Sequence, residues 1–327
     1  MRAIIISRPG GPEVLELRDV PTPEPGAGQI RVRIAATAIN RADLLQRAGR
    51  YPAPTGWPAD IPGLEYAGTV DAVGPDVLQR SVGQPVMGIA GGGTYAEFVV
   101  VHEDEAIPVP RGVPIEHAAA IPEAFITAHD ALLTQAALTR GETLLVHGVG
   151  SGVGVAALQI GRVVGARVLG TARSDWKLER AREYGLDVAI DAAKQDFADV
   201  VHRESRDLGA NVILDLVGGA YLSGNVRALA RHGRLLLVGL VAGATAELDM
   251  RALMAKRASI RGTVLRSRTP QEKAQVARVF ATFALPLFEA KRLVPVIDSM
   301  LPLSRAAEGH GRVERNLNFG KVVLTVP

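Results

Sequence analysis

The sequence predicts an α/β protein of two domains, a partly open β-barrel and a doubly wound parallel sheet of six strands. Changes of rhythm along the 327 residues carry that expectation. Up to about residue 120, short apolar or alternating runs are separated by Gly and Pro clusters. From Ile121, apolar strands alternate with helical stretches, and the tail resumes the first character.

The opening MRAIIISRPGG reads as a short strand rather than a signal peptide. The runs QIRVRIAATAI (29–39), AGTVDAV (67–73), PVMGI (85–89) and TYAEFVVV (94–101) have strand length. PTPEPGAG (21–28) and YPAPTGWP (51–58) punctuate them. Many short strands between turns predict a barrel. The second rhythm places strands at 143–147, 167–171, 188–190, 212–216, 235–238 and 259–263, with helices at 155–164, 175–184, 197–208, 221–229 and 250–256. Ser174 is a plausible N-cap for the second of these helices. In the tail, 271–283 reads as a helix, and 293–297 and 321–327 as strands that return to complete the first domain. The expected domains are 1–121 with 266–327, and 122–265.

The most informative segment is TLLVHGVGSGVGVAALQIGRVVGARVLGTARSDWK (143–177): strand, glycine turn, helix, strand. Gly148, Gly150, Gly152 and Gly154 supply a tight turn and close backbone approach. A helix opening at such a turn presents free N–H groups and a positive dipole end, which suits a diphosphate. NAD-binding folds place Asp or Glu about 20 residues beyond the turn, on the ribose 2′-hydroxyl. Here that spacing from Gly154 reaches Ser174, flanked by Arg173 and followed by Lys177. An Arg grips phosphate bidentately, a Lys acts as a point charge, and a serine hydroxyl completes the set. This is the chemistry of a 2′-phosphate, so the cofactor reads as NADPH.

Composition narrows the function. Lys+Arg total 37 against 34 Asp+Glu, and the small excess is scattered, which argues against nucleic-acid or membrane binding. No cysteine is present, which excludes disulfides, thiolate catalysis and cysteine-ligated metal. The seven His residues show no short metal-ligand spacing and read as structural. No apolar stretch approaches a membrane span, and without an address the chain is expected in the cytoplasm.

Taken together, NRADLLQRAGRYPAPTG (40–56), IPGLEYAGTV (61–70), IPEAFITAHDAL (121–132), HGVGSGVGVAALQ (147–159), NVILDLVGG (211–219), GRLLLVGLVAG (233–243), VLRSR (264–268) and NFGKVVL (318–324) resemble the zinc-free medium-chain dehydrogenases/reductases of the quinone oxidoreductase group, nearest to its p53-inducible branch. The resemblance implies a GroES-like barrel domain, a Rossmann domain binding NADPH, and a homodimer paired through Rossmann edge strands, with SIRGTVL (259–265) as that edge. It places Ser151, Gly152 and Val153 over the diphosphate and nicotinamide. It also places Gly239, Leu240 and Val241 by the nicotinamide, with Leu216 and Val217 near the same crevice; sheet packing is the alternative for these two, and equally so for Leu216. The resemblance further implies that Val264, Leu265, Arg266 and Asn318 surround the cofactor, that Asn40 and Tyr51 face the nicotinamide, and that Thr127 lines the same place. Tyr51 is the candidate hydroxyl for a substrate carbonyl, and it equally reads as a packed turn aromatic before Pro52. Relatives set a Tyr against the 2′-phosphate where this chain has Ala192. Zinc-dependent relatives carry a Cys before the Asp matching Asp43 and a His before the Glu matching Glu65, where Asn40 and Leu64 occupy those regions here. The implied activity is NADPH-dependent reduction of quinones or other conjugated carbonyls, small molecules, without zinc. Two alternatives share the fold: an enoyl-thioester reductase, and a low-turnover, crystallin-like NADPH-binding protein.

Overall fold

The computed structural model describes residues Met1 to Pro327, which form two compact units: Met1–Ile126 with Leu265–Pro327, and Thr127–Val264. The first unit opens with β1 (Arg2–Ile6) and β2 (Leu15–Asp19), which pair antiparallel. The long β3 (Gln29–Ala38) is followed by α1 (Arg41–Arg47), β4 (Glu65–Val73), β5 (Pro85–Ile89), β6 (Phe98–His102), β7 (Ala106–Pro108) and α2 (Ile115–Ala118). Strand β6 starts later than its sequence run because residues before it bridge to β1, with Ala3 opposite Ala96.

The second unit begins with a helical stretch in which α3 (Thr127–His129) precedes a π-helical turn, Asp130–Gln135. Then strands and helices alternate: β8 (Thr143–His147), α4 (Gly152–Val164), β9 (Arg167–Ala172), α5 (Asp175–Arg182), β10 (Val188–Asp191), α6 (Phe197–Glu204), β11 (Ala210–Asp215), α7 (Leu222–Ala228), β12 (Leu229–Leu237), α8 (Met250–Lys256) and β13 (Ser259–Gly262). All six strands are parallel, in the order β10-β9-β8-β11-β12-β13. That order reverses at β8, so the crevice beyond the carboxyl ends of β8 and β11 is the expected ligand position. Leu145, Leu169, Ile213 and Leu235 from four of these strands pack with Val200 and Val201 of α6. On α4, a Cβ at Gly161 would stand 2.8 Å from Val168 Cγ2, so glycine allows the helix to close onto the sheet.

The chain then returns to the first unit with α9 (Pro270–Glu289), β14 (Ile297–Pro302), α10 (Ala306–Glu314) and β15 (Lys321–Thr325). Helix α9 outruns its predicted end and passes through Pro286, because its buried stripe of Phe280, Ala284 and Phe288 continues across that residue. The tail strand falls at 297–302 rather than 293–297: Leu293 and Val296 are buried outside any strand, and pairing with β15 starts at Ile297 opposite Lys321. Helix α10, with two glycines and little apolar periodicity, gives no sequence signal. The seven-stranded sheet runs β14-β15-β3-β4-β5-β7, with β6 on β3. Alternate residues Ile30, Val32 and Ile34 of β3 meet Tyr66, Val86, Val99 and Val322 inside it. Each such side chain contributes roughly 1.5–3 kcal/mol by leaving water.

Candidate active site

In the second unit the predicted residues gather at the carboxyl ends of the parallel strands. The turn after β8 depends on Gly148, which has φ +72. Ser151 caps α4: its hydroxyl donates to Gly148 O (2.8 Å) and accepts from Gly154 N (3.0 Å). Its side chain is therefore engaged by the turn, and the N–H groups of Gly152 and Val153 head the helix without an intrahelical acceptor. A Cβ on Gly154 would lie 2.3 Å from Gly148 O, and one on Gly150 would lie 2.6 Å from Lys177 Cδ. Both glycines keep the cradle open and bring Lys177 against it.

Beyond β9, Arg173 is exposed and has no acidic partner, while Ser174 and Lys177 are half-buried at the start of α5. Lys177 Nζ lies 5.3 Å from the Trp176 ring centroid. Ser174 occupies the N-cap position of α5 without a side-chain capping bond, so the capping role read from sequence is absent and the hydroxyl is not used there. The structure also reveals acids nearby that sequence spacing missed. Asp175 opens α5 and Asp191 ends β10, and Lys194 bridges both at 3.0 and 2.8 Å. Ala192 follows this pair, with its N–H on Ala172 O.

After β11, Asp215 organises the loop. Its Oδ1 accepts from the N–H groups of Val217 (2.7 Å) and Gly218 (2.9 Å), and its Oδ2 accepts from Asn225 Nδ2 (2.8 Å). Asn225 Oδ1 in turn meets His147 Nε2 at 2.7 Å, and His147 Nδ1 meets Thr171 Oγ1 at 2.9 Å. Burial holds the His147 pKa down, with Asp215 and Asn225 opposing. Leu240 and Val241 are 56% and 60% exposed beyond β12, unusual for aliphatic side chains, while Gly239 allows the chain to pass Leu216 O. Val264 is exposed after β13. Thr127 Oγ1 is buried without any hydrogen-bond partner. A buried, unpaired hydroxyl, open N–H groups and an unpaired cation fit a polar, anionic dinucleotide.

In the first unit, buried charges cluster around Asn40, the N-cap of α1. Asn40 N donates to Asp43 Oδ2 (2.7 Å) and Asn40 Nδ2 to Glu65 Oε1 (2.9 Å), while Asn40 Oδ1 accepts from Lys321 Nζ. Lys321 Nζ also lies 2.7 Å from Glu65 Oε1 and donates to Ile39 O. Asn40 is thus a clamp whose amide is engaged within the barrel unit, joining Glu65 to Lys321. A second chain runs Arg47 to His310 Nδ1 (3.3 Å), His310 Nε2 to Tyr95 Oη (3.1 Å), and Tyr95 Oη to Asp43 Oδ2 (3.2 Å). Arg47 can only donate, so His310 Nδ1 accepts and its proton sits on Nε2. Burial and Arg47 hold the His310 pKa down to about 3, and burial pushes Asp43 up to about 6.

Arg266 is likewise engaged within the first unit. Its guanidinium is buried and donates to Gly91 O (2.7 Å), Tyr51 O (3.2 Å) and Gln46 Oε1. It lies 5.0 Å from the Tyr51 ring centroid and so supports Tyr51. Leu265 is buried in the same unit, and Asn318 Nδ2 closes its own turn onto Gly320 O (2.8 Å). Tyr51 is half-buried, and its hydroxyl makes no hydrogen bond and is kept protonated by burial. Sequence reasoning met Asp43 and Glu65 only as matches to the acids of zinc-dependent relatives, and missed Glu123, Lys321 and the His310 relay. The available signal was a charge inside an apolar run, as in Leu64-Glu65-Tyr66 and Gly320-Lys321-Val322, since a buried charge demands a partner. No group of three or more His, Asp or Glu side chains is arranged to hold a metal, and no helix is long and apolar enough to cross a membrane.

Comparison with known proteins gives two family matches: an alcohol dehydrogenase GroES-like domain over residues 26–111 and a zinc-binding dehydrogenase domain over 152–282. The quinone oxidoreductase of Lama guanicoe is 33% identical over 99% of this chain and 97% of its own. Among solved structures, an NAD-dependent alcohol dehydrogenase superposes with TM-score 0.88 at 36% identity, covering both chains fully. A mycobacterial protein complexed with NADPH superposes with TM-score 0.88 at 29% identity, over 99% of each chain.

Proposed function

We propose, from the fact that this chain belongs to the quinone oxidoreductase group of the medium-chain dehydrogenases/reductases, that it is an NADPH-dependent reductase of quinones and related conjugated carbonyls. The observation that carries the cofactor assignment is the cradle at the end of β8 and β9: open N–H groups at Gly152 and Val153 beside an unpaired, exposed Arg173. The nearby acids Asp175 and Asp191 are both held by Lys194, so neither is offered freely to a ribose hydroxyl. The mycobacterial relative complexed with NADPH supports this choice, and the NAD-dependent one marks the competing outcome.

When bound, the reduced nicotinamide supplies the hydride. The chain supplies position and polarity. The head of α4 and its dipole hold the diphosphate, and Arg173, Ser174 and Lys177 hold the 2′-phosphate. Val217, Gly239, Leu240, Val241, Val264 and Thr127 wall the remainder of the cofactor. Tyr51, protonated and without a protein partner, donates a hydrogen bond to the substrate carbonyl oxygen, where negative charge develops. The reaction proceeds without zinc. The lack of cysteine in the sequence supports this reading.

Acceptor preference is checked by steady-state turnover with NADPH against naphthoquinone, phenanthrenequinone, a simple enone and an enoyl-CoA. Quinones are expected to lead. Efficient enoyl-CoA turnover with no quinone activity would replace this reading with the enoyl-thioester reductase. The protein is further proposed to be a cytoplasmic homodimer paired through β13, an edge strand of the parallel sheet. Met250 and Met254 on the preceding helix, 69% and 75% exposed, support a covered face there. Light scattering at micromolar concentration is expected to give twice the chain mass, and a monomer mass would remove the proposal.

A further inference from the structure

Glu123 stands at the start of a π-helical turn, Pro122–Ile126, an element often found at functional sites. Its backbone N–H donates to Glu65 Oε2 (2.8 Å), which fixes the residue against the buried charge cluster. Its carboxyl is half-buried, accepts no hydrogen bond and pairs with no base. The charged groups that face it are Glu65 on β4, Lys321 on β15, Asp43 on α1 and Arg266 after β13, and its own charge is felt by Tyr51. Two cations therefore face three carboxyl groups. Lys321 is committed to Glu65, and Asp43 accepts hydrogen bonds from Asn40, Gly63 and Tyr95. Glu123 is the carboxyl left without a partner, so it is the one for which ionisation is least favourable.

Resting on the reductase reading, we propose that Glu123, pinned against Glu65 through its N–H and with its carboxyl unpartnered, is held as a neutral carboxylic acid and donates the proton that follows hydride transfer to the substrate. Burial and the Glu65 charge push its pKa up to about 8, which keeps the acid form at neutral pH. Hydride addition leaves the reduced substrate with an oxyanion. The Glu123 O–H bond breaks, its electron pair stays on the carboxylate, and the proton forms the substrate O–H bond. Water then returns a proton to Glu123.

The folded state also carries a mark of this acid. Unfolded, the carboxyl releases its proton near 4.5, whereas folded it keeps it up to about 8. The folded state binds the extra proton through that window, so this contribution to stability is lost as pH rises across it.

The test compares wild type with Glu123→Gln, using infrared difference spectra, urea unfolding from pH 4.5 to 9, and kcat with NADPH and naphthoquinone against pH. A carboxylic-acid C=O band is expected in wild type at pH 7 and lost by about pH 9, absent in the variant. The variant is expected to lose the Glu123 share of the stability slope, read between about pH 6.5 and 8, above the range where Asp43 and the buried histidines contribute. Its kcat at pH 7 should fall about a hundred-fold and no longer decline above pH 8. If Glu123→Gln does not fold, Glu123→Asp is expected to shift the band and move the kcat limb. Absence of the band at pH 7 overturns the neutral acid. A variant with wild-type kcat and pH profile overturns the donor role. Folded wild type that shows the band but reduces no quinone overturns the reductase reading instead, so the two failures are distinct.

Discussion

Replacing Lys321 with Met is expected to destabilise the protein by about 3–5 kcal/mol, the usual consequence of removing one partner from a buried ion pair. Lys321 and Glu65 are among the least accessible charged side chains in the molecule, with side-chain exposures of 5% and 0%. Lys321 Nζ satisfies Glu65 Oε1, Ile39 O and Asn40 Oδ1 together. Methionine has similar length but no donor, so Glu65 would be left with only Asn40 Nδ2 and Glu123 N. Urea unfolding at pH 7 measures the loss. The double variant Lys321→Met with Glu65→Gln is expected to recover much of it, because the uncompensated charge is gone. A single variant as stable as wild type would show that the ion pair does not organise the barrel unit.

The second large effect concerns the cofactor. Arg173→Ala combined with Lys177→Ala is expected to raise the Kd for NADPH about ten- to a hundred-fold, since hydrogen bonds to charged groups contribute roughly 1.5–3 kcal/mol and Arg173 is exposed to solvent screening. The Kd for NADH should change little, because it lacks the 2′-phosphate. Fluorescence titration with each nucleotide measures both. Equal weakening of both would remove the 2′-phosphate assignment and turn attention to the Asp175–Lys194–Asp191 group as a ribose site.

What could be read from sequence followed from periodicity and local spacing. The six parallel strands were placed within a few residues at most ends, because each is an apolar run bounded by a turn or helix. The glycine turn was legible because φ and close approach restrict Gly148 and Gly154 to glycine. The barrel tail was less legible. Helix α10 buries a face of Ala306, Gly309, His310 and Val313, in which glycine and histidine blur the apolar period, and β14 is defined by pairing to β15 rather than by its own composition. The charged cluster was hidden for another reason. Asn40, Asp43, Glu65, Glu123 and Lys321 come from well-separated segments, and no local spacing joins Asn40 to Lys321. The sequence therefore does not show that the polar atoms of Asn40 and Arg266 are engaged inside the barrel unit. Nor does it show that Arg266 lies against the Tyr51 ring.

The central claim is a cofactor-specific hydride transfer to a quinone, and wild-type kcat/KM with one naphthoquinone, measured with NADPH and with NADH in the same buffer, tests it most directly. The account predicts turnover with both the quinone and NADPH present, and a kcat/KM at least about tenfold higher for NADPH than for NADH, from the charge-assisted contacts of Arg173 and Lys177. Equal or better turnover with NADH, or no quinone reduction with either nucleotide, would contradict it.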